Sequence, residues 1–329
     1  MDTNSSKAEY IGRVLKAQDF IEKHLDEELS LETVAAAACF SPFHFHRIYA
    51  AITGETPGKF IQRLRLHKAA TLLIQSPRMS ILEIALDCGF SGAAVFARAF
   101  QTQFGMSASA WRSGGAKEYA KSKNRKIKSN ICKTERKDCK AGDAPVSYTE
   151  SVHNQTTFLR SEKMQKTKEA SEVRVVEDPA MTVAYVRHTG PYAGDGELFG
   201  RLFGRLCSWA GPRGFLGPDA KMLTIYHDNP ELVDDDKLRI SVCCTVPAGT
   251  NPDGDIGVME MPGGKNVHAA FEVATDEYGA AWDWLFSQWM PSSGYQPDDR
   301  FCYELYLNDP KDHPEGKHQV EIVMPVRPL

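Results

Sequence analysis

Apolar residues recur at intervals of three and four positions along the first third of the chain. Between Ala8 and Leu25 this spacing predicts an amphipathic helix. A longer helix is predicted from Pro57 to about Gln75. Its apolar positions are Phe60, Ile61, Leu64, Leu72 and Leu73, and the basic positions that we expect on its exposed side are Arg63, Arg65 and Lys68.

Two segments on either side of that longer helix repeat each other. With a shift of fifty positions Ser30-Leu31 aligns with Ser80-Ile81, and Phe40-Ser41 aligns with Phe90-Ser91. After a slip of one residue the match resumes, pairing Phe45, Arg47, Tyr49 and Gly54 with Phe96, Arg98, Phe100 and Gly105. Each copy has the pattern of a helix, a tight turn and a second helix, with a serine in position to cap the first helix. The repeat therefore predicts two helix-turn-helix units in an all-α domain over residues 1–112.

From Glu172 onward the pattern changes to short runs of β-branched and aromatic residues. Strands are predicted at 173–176, 182–187, 223–227, 240–246, 267–273, 302–307 and 320–326, with helices near 195–210 and 276–290. The order strand, strand, helix occurs twice, and Glu177-Asp178-Pro179 in the first unit corresponds to Glu260-Met261-Pro262 in the second. Residues 172–329 are thus predicted to form an α+β domain with a duplicated unit and an antiparallel sheet.

The segment between these two domains has a different composition. Residues 113–171 are rich in Ser, Lys, Asn, Gln and Thr and contain few regularly spaced apolar residues, so a flexible linker is predicted there. The formal charge is +1 for residues 1–116, +7 for 117–171 and −12 for 172–329. This asymmetry indicates that the front of the chain meets a polyanion and that the acidic back is kept off it.

Several classes of protein are excluded by what the sequence lacks. No apolar run reaches the roughly 20 residues of a membrane span, and the polar start has no secretory segment. The eight cysteines form neither a C-x-x-C pair nor a regular frame, which indicates reduced thiols. We therefore expect a cytoplasmic, nucleoid-associated protein without a membrane partner, a metal site or a cofactor.

The front half resembles the DNA-binding region of the AraC/XylS family over residues 8–112. The motifs that carry the resemblance are Ile81-Leu82-Glu83-Ile84-Ala85, Gly89-Phe90-Ser91, Phe96-Ala97-Arg98-Ala99-Phe100, Gly105 and Trp111-Arg112. Two positions depart from the family pattern. Ala108 stands where a proline is usual, and Cys39 stands where a turn glycine is common. We expect the cysteine to strain the first turn.

The resemblance implies that the second helix of each unit lies in a major groove of double-stranded DNA. The positions that it places against base edges are Phe43, His46 and Arg47 in the first copy and Ala93, Ala94 and Arg98 in the second. An arginine can donate two hydrogen bonds to guanine, whereas an alanine can only contact a thymine methyl, so the first copy should be the stricter reader of sequence. A phosphate contact or a solvated side chain is the alternative for both arginines.

The back half is similar to the GyrI-like, or multidrug-regulator, effector-binding domain over residues 172–329. The segments that carry this resemblance are His188-Thr189-Gly190-Pro191-Tyr192, Tyr226-His227-Asp228-Asn229-Pro230, Trp289-Met290-Pro291-Ser292-Ser293-Gly294 and Tyr303-Glu304-Leu305-Tyr306. The resemblance implies that Glu304 lines a ligand cleft between the two repeats. Candidate aromatic walls of that cleft are Tyr192, Tyr226, Trp282 and Tyr306.

Strand alternation supports a special role for Glu304. It places Cys302, Glu304 and Tyr306 on one face of their strand and Tyr303 and Leu305 on the other. A carboxylate that is desolvated among aromatic rings has a raised pKa and favours a cationic or hydrogen-bond-donating ligand. An exposed strand carboxylate beside core aromatics is the alternative.

Together these patterns predict a bacterial, sequence-specific transcription regulator whose C-terminal domain binds a small amphipathic effector, for which the carboxylate favours a cation. A second hypothesis is a small-molecule hydrolase in which Glu304 and Tyr192 act as a general acid/base pair. No nucleophile elbow, metal cluster or phosphate loop supports turnover, so binding without catalysis is favoured. A third is a protein-interaction module without a ligand, whose acidic surface meets a partner such as RNA polymerase or a topoisomerase.

Overall fold

The computed structural model describes residues 3–122, 168–230, 232–298 and 300–329, and the side chains at 3–7 and 43 lie outside this description. The helices of the first domain are α1 (Thr3–Lys23), α2 (Leu31–Ala37), α3 (Pro42–Thr53), α4 (Pro57–Gln75), α5 (Ile81–Asp87), α6 (Ala93–Phe104) and α7 (Ala108–Ala110). A π-helical turn, Trp111–Gly115, and helical residues 116–122 follow α7. No helix in these described ranges is long and apolar enough to cross a membrane.

Local hydrogen bonds form the two helix-turn-helix units as the repeat predicts. The Thr33 amide donates to Ser30 Oγ over 3.1 Å at the start of α2. At the start of α5 the Glu83 amide donates to Ser80 Oγ over 3.1 Å, and the Ser80 amide donates to Glu83 Oε2 over 2.7 Å, which completes a capping box. The turn residue Cys39 has a φ of +56°, and its counterpart Gly89 has a φ of +77°. The first turn therefore carries the strain expected of a cysteine at a glycine position.

Aromatic residues form a small core in each unit. In the first unit α1 contributes Val14 and Ile21 to a cluster with Phe45 and Tyr49. In the second unit Trp111 is fully buried, and its indole N–H donates to the Ala70 carbonyl oxygen over 3.0 Å.

The helical domain extends into the segment that the sequence assigns to the linker. The ring centroid of Tyr119 lies 5.3 Å from that of Trp111 and 5.5 Å from that of Phe104. Residues 113–122 therefore pack with the first domain, because an aromatic side chain there covers its core. Residues 123–167 of the predicted linker lie outside the described part of the chain.

The second domain is built on an antiparallel sheet. Its strands are β1 (Glu172–Asp178), β2 (Met181–Thr189), β3 (Met222–Tyr226), β4 (Arg239–Thr245), β5 (Gly257–Met261), β6 (Gly264–Val273), β7 (Tyr295–Pro297), β8 (Cys302–Tyr306) and β9 (His318–Pro328). Across the sheet the order is β1-β6-β9-β8-β3-β4-β2-β5, and β7 pairs with β9. The two predicted repeats meet where β3 lies beside β8, with Thr224 opposite Glu304. The short strands β5 and β7 were not predicted.

Both faces of the sheet are covered, but by different domains. One face packs against helices α8 (Gly196–Ala210) and α9 (Tyr278–Trp284), the latter continuing through a π-helical turn at Leu285–Trp289. The other face packs against α1 of the first domain, where Leu15 joins a buried cluster with Val183, Tyr185 and Leu223. Helix α1 is thus shared between the two cores.

Buried ion pairs hold the two domains together. Arg187 Nη2 lies 3.0 Å from Asp19 Oδ1, and the Tyr185 hydroxyl donates to Asp19 Oδ2 over 2.5 Å. Arg239 donates to Glu22 of α1 and, over 2.7 Å, to Asp228 Oδ2. These charges are tolerated in the interior because each has an opposite charge beside it.

The expected exposure of Arg63 is wrong. Its side chain is buried on α4, where it donates to Glu55 Oε1 over 2.6 Å and approaches Asp228 Oδ1 within 3.9 Å. Arg65 is half-buried and donates to the backbone oxygens of Leu25 and Glu27. Both arginines turn inward because they find acceptors on neighbouring elements, which helical periodicity cannot show.

A histidine at the domain contact predicts a pH-dependent stability. Burial, reinforced by the positive charge of Arg187, lowers the pKa of His227 to about 4 from its ordinary 6.5. A depressed folded-state pKa means that the unfolded chain binds more protons below pH 6.5, so stability is present above that pH and lost as the pH falls towards 4. Between pH 7.5 and pH 5 we expect His227 to remove about 2 kcal/mol of unfolding free energy.

Urea unfolding of the full chain at both pH values measures this loss. The variant His227→Gln has no ionisable group at this position. Its unfolding free energy should therefore fall by about 2 kcal/mol less between pH 7.5 and pH 5 than that of the unchanged protein. An equal pH dependence in both proteins would contradict the assignment to His227.

Candidate functional site

Glu304 lies at the centre of the sheet face that α8 and α9 cover, and it is 2% exposed. The Tyr226 hydroxyl donates to its Oε2 over 2.8 Å, and the Trp282 indole N–H donates to its Oε1 over 2.7 Å. The Tyr306 hydroxyl lies 3.0 Å from both Glu304 Oε2 and Thr224 Oγ1. Both carboxylate oxygens are thus engaged by side chains of β3, α9 and β8.

The electrostatics of Glu304 are unusual because its partners are neutral. Burial raises the pKa of its carboxyl, and hydrogen bonds from Trp282, Tyr226 and Tyr306 only partly oppose this effect. Among the described residues no lysine, arginine or histidine forms an ion pair with Glu304. Burial and the nearby Glu304 charge also hold the pKa of Tyr226 well above its usual value. The site therefore has hydrogen-bond donors for its carboxylate but no counter-ion.

Aromatic rings surround the carboxylate. The ring centroid of Tyr226 lies 5.7 Å from that of Tyr192 and 5.9 Å from that of Trp282. The structure therefore brings all five predicted residues together, with Tyr192 joined through its ring contact alone. All four aromatic side chains are half-buried. Because Glu304 is 2% exposed, a ligand could contact its carboxylate only if side chains that cover it moved aside.

Three further aromatic residues of this cluster were not predicted. Phe203 packs on Tyr306 with ring centroids 5.6 Å apart, and Phe286 stacks on Trp282 at 6.1 Å. The Tyr278 hydroxyl lies 2.5 Å from His318 Nδ1, and burial together with the Glu304 charge raises the pKa of Tyr278. Helical periodicity marks such residues as apolar but cannot show which of them face the sheet centre.

The acid/base pair of the hydrolase hypothesis is not formed. In the described structure Tyr192 and Glu304 make no hydrogen bond with each other. Burial raises the pKa of Tyr192, and the charges of Asp228 and Glu304 raise it further, so the phenol holds its proton.

The predicted DNA-contacting residues lie on α3 and α6. The side chains of His46 and Arg47 are exposed on α3, and those of Ala93, Ala94 and Arg98 are exposed on α6. Phe43 belongs to α3, but its side chain lies outside the description. Beneath these surfaces the buried rings of Phe45 and Phe96 hold each helix to its unit. Val95, an apolar residue of α6 that was not predicted to be exposed, is 54% exposed beside the predicted residues of that helix.

Comparison with known proteins supports the predicted family of each half of the chain. Residues 171–327 match the family model of the GyrI-like small molecule binding domain, and residues 34–114 match that of a helix-turn-helix domain. The chain is 33% identical over 160 residues to a DNA gyrase inhibitor of Edwardsiella ictaluri, a match that covers 47% of this chain and 98% of that protein. It is 40% identical over 93 residues to the right origin-binding protein of Escherichia coli K12, covering 28% of this chain and 32% of that protein.

Among solved structures the chain is similar to the EcmrR C-terminal domain. The sequences are 19% identical, the TM-score is 0.38, and the match covers 48% of this chain and 98% of that one.

The hydrogen bond from Tyr226 to Glu304 can be tested by its deletion. Tyr226→Phe leaves one carboxylate oxygen with fewer donors, so we expect the unfolding free energy at neutral pH to fall by about 1–3 kcal/mol. The matched control is Tyr192→Phe, because the Tyr192 hydroxyl makes no hydrogen bond with any described residue. That control should change stability by less than about 0.5 kcal/mol. Equal losses in the two variants would contradict the described hydrogen bond.

Proposed function

The chain belongs to the GyrI-like family, and we propose that its effector is an aromatic or amphipathic cation bound at Glu304. It joins a GyrI-like domain to an AraC-type helix-turn-helix domain, which is the architecture of a ligand-responsive transcription regulator. The observation that carries the proposal is the buried carboxylate that has neutral donors and, among the described residues, no counter-ion. A bound cation supplies the missing charge and lowers the cost of keeping the carboxylate ionised.

The rings around Glu304 suit such a ligand. The faces of Tyr226 and Trp282 can hold a cation through the ring quadrupole, an interaction of about 0.5–2 kcal/mol that grows as water is excluded. The same rings bury the apolar parts of an amphipathic molecule. A neutral apolar ligand would break the donor bonds to Glu304 without replacing them, so the site selects against it.

For the DNA-binding half we propose that Arg47 and Arg98 contact base edges. Both lie exposed on the second helix of their units, at equivalent positions of the sequence repeat. The neighbouring Ala93, Ala94 and Val95 of α6 offer only apolar contacts, which supports the stricter reading of sequence by the first unit.

Binding without turnover is the proposal for the second domain. Its support is that Tyr192 does not reach Glu304 and holds its proton. Contact of the acidic second domain with RNA polymerase stays a prediction.

Binding of tetraphenylphosphonium to the full chain tests the effector proposal. We expect calorimetry to show binding that Glu304→Gln weakens by at least about tenfold, or about 1.4 kcal/mol, because the amide carries no charge. Lowering the pH should also weaken binding to the unchanged protein, since protonation through the raised pKa of Glu304 removes the charge. Glu260→Gln, which removes an exposed carboxylate from edge strand β5, is the control and should bind normally. Absence of binding, or equal affinity in all three proteins, would contradict a cation site at Glu304.

The base-contact proposal is tested with a duplex selected by the protein from a random pool. Arg47→Ala should weaken binding to this duplex by about 1–3 kcal/mol and leave binding to random duplex nearly unchanged. Arg78→Ala removes an exposed arginine outside both recognition helices and serves as the control. A loss of the same size on random duplex would make Arg47 a phosphate contact.

A further inference from the structure

Strand β3 connects the Glu304 site to the domain contact by adjacent residues. Tyr226, the last residue of β3, donates its hydroxyl to Glu304 over 2.8 Å. The next residue, His227, has its side chain fully buried, with Nδ1 3.4 Å from Glu22 of α1. The residue after that, Asp228, lies between Arg239 at 2.7 Å and Arg63 of α4 at 3.9 Å. Three consecutive residues thus pass from the site to two helices of the DNA-binding domain.

The chain that follows reaches the second helix-turn-helix unit. Leu232 is buried in the same cluster as Phe100 and Trp111, which form the core of that unit. Residues 227–230 and 232–233, hereafter the connecting segment, therefore contact α1, α4 and the core beneath α6. The connecting segment thus links the sheet face that holds Glu304 to the DNA-binding domain.

The contact at this segment is tight but incompletely satisfied. Asp228 and Arg239 are almost completely buried and hydrogen-bonded to each other, and the Arg239 guanidinium lies 5.1 Å from the centre of the Phe60 ring of α4. However, Arg63 Nη1 is buried and has no hydrogen bond with any described residue, and His227 Nδ1 approaches Glu22 no closer than 3.4 Å. Buried polar atoms without partners cost stability, so this contact has less to lose on separation than a fully paired one.

We propose that the connecting segment transmits effector binding to the DNA-binding domain by loosening its hold on α1 and α4. The inference rests on the proposed effector site, with Tyr226 as a donor that the ligand displaces from Glu304; His227 and Asp228 follow Tyr226 directly in the chain. Because a buried charge without its partner is strongly unfavourable, the ion pairs favour two discrete states, docked and released, over intermediate ones. The coupling is reciprocal, so DNA changes effector affinity by the factor by which effector changes DNA affinity.

A glycine in α1 allows the contact to be disturbed away from both binding sites. A β-carbon at Gly12 would lie 2.1 Å from the Gly254 carbonyl oxygen in the second domain, so Gly12→Ala forces α1 away from that loop. Gly200→Ala is the matched control in α8, where an added β-carbon meets no atom within 4 Å. Asp228→Asn is a second variant, which weakens the ion pairs of the connecting segment itself.

The first experiment measures the affinity of the full chain for its selected duplex with and without saturating tetraphenylphosphonium. We expect a change of about 5-fold to 150-fold in the unchanged protein and in Gly200→Ala, the usual range of allosteric coupling. In Gly12→Ala and Asp228→Asn each ligand should still bind alone, but the change should fall below about twofold. The full factor in both variants would overturn the proposal.

A second experiment needs no small molecule and so separates this proposal from that of the effector. Tyr226→Phe and Asp228→Asn are made singly and together, and the affinity for the selected duplex is measured. Transmission through the connecting segment predicts effects that fail to multiply, with a discrepancy of about threefold or more between the double variant and the product of the singles. Independent effects would overturn the proposal. If tetraphenylphosphonium does not bind but this discrepancy is found, the cation proposal fails and the connecting segment stands.

Discussion

The pairing of Asp19 and Glu22 with Arg187 and Arg239 is the constraint on which the arrangement of the two domains depends. The side chains of Arg187 and Arg239 are almost completely buried and those of Asp19 and Glu22 are largely buried, so an arginine left unpaired here would destabilise the folded chain severely. Burial alone would raise the pKa of Glu22, but Arg239, Arg187 and His227 outweigh it and lower that pKa. Helix α1 must therefore serve two cores at once, with Val14 and Ile21 in its own domain and Leu15 against the sheet.

Glu304 and the carboxylates at the domain contact are stabilised in different ways. Those at the domain contact have arginines beside them, whereas within the described part of the chain Glu304 has the neutral donors Tyr226, Tyr306 and Trp282 and no cation. A carboxylate with a permanent counter-ion has little to gain from a ligand. A cation bound at Glu304, as proposed, would supply the charge that this carboxylate lacks, whereas the carboxylates on the other face already have their counter-ions.

The parts of this structure that follow from local rules were predictable, and those that depend on distant partners were not. Capping serines, the internal repeat and strand alternation predict the two helix-turn-helix units and place Glu304 with Tyr306. The burial of Arg63 could not be foreseen, because one of its partners, Asp228, lies in the other domain. Similarly, only the folded chain brings Asp19 to Arg187, and only packing shows that Tyr119 covers Trp111.

A sheet is well suited to join recognition to a domain contact because successive residues of a strand point to opposite faces. Tyr226 faces Glu304, and His227 beside it faces Glu22 of α1. Similarly, Glu304 lies on the face of the sheet that α8 and α9 cover, whereas its neighbours Tyr303 and Leu305 belong to the cluster that contains Leu15 on the other face. The two faces are therefore separated by the thickness of one sheet. In the proposed mechanism a displacement at Glu304 reaches Tyr226 through their hydrogen bond and then the DNA-binding domain through the next residues of the chain. A long chain of side-chain contacts is not required.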